Sequence, residues 1–361
     1  MTKTISTAVL VLTLGTYAHA NQYTPHTYTN AISAHNISSF QHTITQAAFN
    51  GFGLQNQNTF NKKQSAAIIN TPDLYGHAPM YGTELMYGEF NEDGTMGRSG
   101  GDSDTQFAAL SNIWLNWQHT NSDIKFNNIA PTSNKNDLIM AGLSGKQSKF
   151  GIFTHNWGIN SGYIHSEQTN NDINTDSQGG FLGVFNGFYH NKFALNTNIT
   201  AGVLDNSSQN KFGTDNYTSF WFGAAAGLSY DIVLDSSFIL RPTINAEYTW
   251  IQSDDYTSAS GDRLHNKNFN IFKTSPELQA IKHIGNGWFG KLSVQYIMTF
   301  ANDGDTIINT TNTINLNNTE YFEYAISIGK SVYNTNIHAS VGRHDGDMYG
   351  WFGNINIKYL F

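Results

Sequence analysis

From Phe238 to Trp250 the chain alternates strictly between two kinds of side chain. Phe238, Leu240, Pro242, Ile244, Ala246, Tyr248 and Trp250 fall on one side of an extended backbone. Ile239, Arg241, Thr243, Asn245, Glu247 and Thr249 fall on the other. Successive strand side chains point to opposite faces, so this pattern predicts a strand with one apolar and one polar face. Trp288, Gly290, Leu292, Val294, Tyr296, Met298 and Phe300 repeat it, opposite Phe289, Lys291, Ser293, Gln295, Ile297 and Thr299. Phe220, Phe222, Ala224, Ala226, Leu228, Tyr230 and Ile232 do so again, opposite Gly223, Ala225, Gly227, Ser229 and Asp231. These runs outlast the roughly five or six residues of a globular strand and reach the roughly 9–11 that a tilted strand needs to cross a bilayer.

The same reading places strands near 107–119, 137–146, 149–165, 179–190, 192–204, 217–233, 237–251, 268–282, 287–300, 320–332, 335–344 and 350–361. Tight turns are expected at Gly145 to Lys149, His190-Asn191-Lys192, Leu234 to Ser237, Gly285-Asn286-Gly287 and Tyr333-Asn334-Thr335. Long polar loops are expected at 120–136, 166–178, 205–216, 252–267 and 301–319. Short turns at one end and long loops at the other, with an even strand count of about twelve, are the marks of an outer-membrane barrel. Lipid offers no hydrogen-bond partners, so such a sheet must close on itself. A soluble β-sandwich is the competing fold, and it has no reason to sort its connections by length. The expected fold class is therefore all-β, an antiparallel transmembrane β-barrel with a short helical N-terminal segment.

Composition agrees. Only 13% of the 361 residues are charged while 14% are aromatic, against roughly 25% charged in soluble domains. Mean hydropathy is −0.38 and no continuous hydrophobic run follows the N-terminus, which argues against a water-soluble core. The formal net charge of −8 argues against nucleic acid as a partner. With no Cys, thiol chemistry and disulfides are absent. At the N-terminus, Lys3, the apolar stretch Ala8 to Leu14 and Ala18-His19-Ala20 form a secretory signal peptide over residues 1–20. Residues 21–105 form a short linker or passenger. Within it, Ile32, Ile37, Phe40, Ile44, Ala47, Ala48 and Phe52 lie on one helical face between Asn30 and Phe52. A second short helix is expected from Thr59 to Ile69 and a strand from Tyr81 to Phe90, followed by a Gly-rich loop to Asp104. The barrel occupies 106–361, and the bacterial outer membrane is the expected location.

The final segment, Gly350 to Phe361, sets Trp351, Ile355, Ile357, Tyr359 and Phe361 on one face. Ile355, Ile357, Tyr359 and Phe361 resemble the C-terminal assembly signal of bacterial outer-membrane barrels, which implies the barrel-assembly machinery as a partner beside outer-membrane lipid. From Asn112 to Phe361 the chain resembles the β-domain, or translocator, of autotransporters. The resemblance rests on Ser340-Val341-Gly342-Arg343 with the C-terminal strand, on Ile239 to Tyr248 with its early proline, and on Gly179-Gly180-Phe181-Leu182-Gly183-Val184-Phe185. It implies a twelve-strand barrel with a helix in its pore, linked to an exported passenger. The departure is the passenger: only residues 21–105 are available for it.

Arg241, Glu247, Lys273, Glu277 and Lys291 are expected to face the lumen, because a charge on the lipid face costs about 2–4 kcal/mol at the bilayer midplane. Trp114, Trp117, Trp250, Trp288, Trp351, Tyr248 and Tyr359 read as interfacial girdles. His338 and Ser340 share a polar strand face and raise the possibility of a hydrolase, but no acidic partner is set by the sequence. His344, Asp345 and Asp347 read as a solvated loop, lacking the spacing of a metal site. No catalytic residue, metal or cofactor is expected. The leading functional expectation is a non-enzymatic autotransporter-type barrel that anchors its N-terminal segment and translocates it to the cell surface. A porin-like channel is the alternative.

Overall fold

The structure, a computed structural model, describes residues 33–49, 110–125, 131–170, 173–266, 268–302, 306–308 and 318–361. Twelve long antiparallel strands dominate it: β1 Leu110–Ile124, β2 Thr132–Gly145, β3 Phe153–Asn170, β4 Ile173–His190, β5 Phe193–Asn210, β6 Gly213–Tyr230, β7 Phe238–Ser253, β8 Phe269–Gly285, β9 Trp288–Asn302, β10 Thr319–Val332, β11 Thr335–Gly346 and β12 Met348–Leu360. Each pairs with its neighbours in sequence. Closure comes from β1 against β12, in register from Asn112↔Leu360 to Ile124↔Met348. The ring therefore has no free edge, as a lipid surround requires.

Sidedness follows the alternation. Leu292, Ile326, Ile244 and Val341 are exposed on the outer face, while Asn245, Glu247, Gln295 and Thr299 are buried within. Among the described residues no helix is long and apolar enough to cross a membrane.

The strands run further toward the long-loop end than the sequence suggests. The described residues of 120–136, 166–178 and 205–216, expected as loops, are mostly strand: β3 and β4 stay paired out to Asn170↔Ile173, and β5 and β6 to Asn210↔Gly213. Asn, Ser, Thr and Asp disguise this extension because they also favour turns. Here they satisfy one another across strands instead. The Thr175 and Ser208 hydroxyls lie 2.7 Å apart, Ser177 Oγ donates to Asn206 Oδ1 at 2.7 Å, and the Ser219 and Ser253 hydroxyls lie 2.8 Å apart. The connections 252–267 and 301–319, also expected as loops, contain short strands. Their described parts form a small sheet of Tyr256–Thr257, Arg263–Asn266 and Thr306–Ile308. The Tyr256 ring stacks on Tyr217 of β6 at 5.0 Å.

At the other end the turns are tight. Asn286 takes a left-handed φ of 51° between Gly285 and Gly287, a conformation Gly and Asn tolerate best. The first turn is not at 145–149. The hairpin continues through Ser148–Phe150, and Phe150↔Phe153 leaves Gly151 and Ile152 as the two-residue loop. Gly151, at φ 60°, makes that turn possible.

Inside the ring lies a helix of residues 33–49, α1. It falls within the span expected from Asn30 to Phe52. The second helix (59–69), the strand at 81–90 and the signal peptide lie outside the described residues.

Candidate functional site, the pore and the helix within it

An isolated amphipathic helix shows one face to water, but α1 has no fully exposed residue. Its apolar stripe of Ile37, Phe40, Ile44, Ala47 and Ala48 packs against inward apolar side chains of the wall, including Trp114, Met140, Phe185 and Trp221. Lumen walls of barrels are polar as a rule, so this half of the wall is tailored to a helical occupant. Trp114 is thus a lumen residue, 1% exposed, and not part of an interfacial girdle. Trp117, Trp288 and Trp351 do face outward.

The inward aromatics fit because each faces a glycine on the adjoining strand. Trp114 opposes Gly142, Phe181 opposes Gly162, Trp221 opposes Gly202 and Phe289 opposes Gly329. A Cβ on Gly142 or Gly202 would collide with the Trp114 or Trp221 ring. The sequence holds this signal only as a cross-strand pairing, which appears once register is known.

Polar contacts fix the height and direction of α1. Near its start, Ser33 Oγ lies 2.8 Å from the Tyr217 hydroxyl. One turn on, Asn36 Nδ2 donates to Ser166 Oγ (2.6 Å), Ser166 Oγ donates to Asn136 Oδ1 (2.7 Å), and Asn136 Nδ2 donates back to Asn36 Oδ1 (3.0 Å). Further along, His42 Nδ1 meets Glu247 Oε1 at 2.7 Å, Gln118 Nε2 donates to Thr43 Oγ1 at 3.3 Å, and Gln41 lies against Gly223. Phe49, at the helix end, lies against Gly227. Ser166 and Tyr217 stand toward the loop end of β3 and β6, whereas Gly227 is close to the tight turn after Tyr230. The helix N-terminus therefore faces the loop end and its C-terminus the turn end.

The five charged residues expected in the lumen stand as follows. Glu247 and Lys273 are both 2% exposed and are direct cross-strand partners. Arg241 forms a fork to Asp231, with Nε and an Nη donating at 2.5 and 3.1 Å. Glu277 accepts from Gln279 Nε2 at 2.8 Å and lines, with Lys291, a cavity between α1 and the wall. Glu323, His338 and His344 also line it. Glu323 and His344 carry no expectation as a pair in the sequence, yet they face each other on β10 and β11 at 3.1 Å.

His344 is thus a buried lumen residue on a strand and not part of a solvated loop, because β11 extends to Gly346. Among the described residues no cluster of His, Asp or Glu can hold a metal ion. His338 and Ser340 both border the cavity, but His338 stacks flat on Phe289 at 6.0 Å, and the nearby carboxylate, Glu323, is engaged by His344. Among the described residues these groups do not form a nucleophile–base–acid arrangement. Ile355, Ile357, Tyr359 and Phe361 are 40–52% exposed on the outer face of β12, with Asn356 and Lys358 buried between them on the inner face.

Three solved structures share this architecture. The β-domain of the Bordetella autotransporter Brka superposes with a TM-score of 0.60 at 13% identity, over 70% of this chain and 100% of that one. The transport unit of the autotransporter AIDA-I from Escherichia coli gives 0.58 at 14% identity, covering 73% and 94%. The translocator domain of NalP from Neisseria meningitidis gives 0.58 at 12% identity, covering 70% and 89%. At such identities the likeness establishes the fold. No curated protein sequence matches the chain. The model of the autotransporter β-domain family matches residues 113–353, most of the chain, and the protein belongs to that family.

Proposed function

We propose that this barrel sits in the bacterial outer membrane as a non-enzymatic anchor that holds its own N-terminal segment threaded through the pore. The observation that carries the reading is the direction of α1. Tight turns of outer-membrane barrels are periplasmic and their long connections external. Ser33, beside Tyr217 and the external small sheet, then marks the outer mouth, and residues preceding the helix are directed to the cell surface. Cleavage after Ala20 would leave residues 21–32 as the exported piece. Phe49 and Leu110 both lie at the turn end, so the segment joining them starts and finishes on the periplasmic side.

The natural absence of Cys makes a clean test possible. Single-cysteine variants are treated on intact cells with a membrane-impermeant maleimide. Gln22→Cys and Lys211→Cys, the latter in the external turn of β5–β6, are expected to label, and Asn191→Cys, in a periplasmic turn, is not. Labelling of Lys211→Cys without Gln22→Cys would remove the translocation reading and leave the barrel. The cavity beside α1 supports a second reading, a narrow channel, which conductance in planar bilayers addresses.

A further inference from the structure

We propose that the periplasmic rim of β2–β5 is a docking surface for anionic phospholipid headgroups of the inner leaflet. The proposal rests on the membrane orientation above. Two hairpins stand side by side there, one turning at Gly151-Ile152 and the other at Asn191-Lys192, joined by a hydrogen bond from His190 Nδ1 to the Ile152 carbonyl at 2.8 Å. Between them they expose Lys146, Lys149 and Lys192.

Beside these lysines lies an apolar shelf. Phe150 is 68% and Ile152 70% exposed, and Phe153 and Phe193 are exposed as well. Phe150 packs edge-on against Phe188, and Phe193 lies tilted against Tyr230 with ring centroids 4.7 Å apart. Aromatic and aliphatic side chains below a cationic edge match the two parts of a lipid at the interface: acyl chain and glycerol against the rings, phosphate against the ammonium groups.

Charge complementarity selects the anionic lipid. The side-chain carboxylates described at this end are already engaged: Asp231 by Arg241, Asp235 by Ser237 and Lys282. Lys330, across the barrel on the same periplasmic rim, sits over the Trp288 ring at 4.8 Å. Among the described residues Lys146, Lys149 and Lys192 have no such partner. The loop end is mixed in charge, with Glu167 beside Lys135 and Asp176 beside His165 on the outer face of β2–β4.

The test uses the full-length protein in nanodiscs of phosphatidylethanolamine and phosphatidylglycerol, with retained lipids counted by native mass spectrometry. A lysine beside an anionic surface strengthens association by about fivefold. Wild type should retain phosphatidylglycerol preferentially, and Lys146→Gln/Lys149→Gln/Lys192→Gln should lose that preference by on the order of tenfold or more. Lys282→Gln/Lys330→Gln, whose lysines are engaged, should keep it. Equal retention by the triple variant overturns the proposal. So does equal loss in both variants, which would mean diffuse charge, or stronger capture of a polyglutamate peptide than of lipid by the same rim. Heat-modifiable gel mobility, measured in parallel, reports whether each variant is a folded barrel. Failure of the membrane-barrel reading itself would appear there and not in the lipid ratio.

Discussion

His42 of the pore helix and Glu247 of β7 meet at 2.7 Å with both side chains buried, and Lys273 stands directly across from Glu247 on β8. This contact joins an element near the N-terminus to the middle of the barrel wall. Removing one partner of a buried ion pair leaves an uncompensated charge, commonly at a cost of about 3 kcal/mol or more. Glu247→Ala is expected to loosen α1 and raise single-channel conductance above the wild-type level. Glu247→Gln, which keeps the shape and a hydrogen-bond acceptor, should have a smaller effect. Unaltered conductance in Glu247→Ala would show that the pair does not retain the helix.

The ring of Asn36, Ser166 and Asn136 is closed, each member donating to the next. Truncating Asn36 to Ala strands the buried Asn136 Nδ2 donor and removes the donor to Ser166 Oγ, a loss of about 1–3 kcal/mol. We expect a lower midpoint in thermal unfolding followed by heat-modifiable mobility. A variant as stable as wild type would mean that water replaces the amide without penalty.

Gly142→Val should destabilise the barrel by about 1–3 kcal/mol through overpacking against Trp114. Gly353→Ala is the matched control, since its nearest neighbour would be 3.9 Å away. Urea titration of the two variants reads the difference, and equal midpoints would refute the close fit of ring to glycine.

Phe361→Ala should lower the yield of folded barrel in the outer membrane without shifting the stability of the molecules that do fold. The exposed ring of Phe361 makes an edge contact with Tyr359, while closure depends on backbone pairing that includes the Phe361 N–H to the Ser111 carbonyl at 3.0 Å. Pulse-chase assembly assays separate the two effects. Normal assembly kinetics would argue against a recognition role for this strand.

Because Phe49 and Leu110 share the turn end, Ser65→Cys is expected to resist an impermeant maleimide on intact cells and to react once the outer membrane is permeabilised. Labelling on intact cells would place this segment outside and require a different path for the chain.

The sequence alone determined the closed antiparallel barrel, because lipid permits only one sidedness for Leu292, Ile326 or Val341 and forbids an open edge. It also located α1, through the spacing of Ile37, Phe40 and Ile44. It could not show that strands continue through Asn206 and Ser208, since those residues favour turns unless a partner strand supplies Ser177 and Thr175. Nor could it show that Trp114 points inward, or that His42, Glu247 and Lys273 converge. Alternation gives a side chain's face relative to its neighbours. Which residue stands opposite it depends on register and on the occupant of the pore, and both are set only when the sheet closes around the helix.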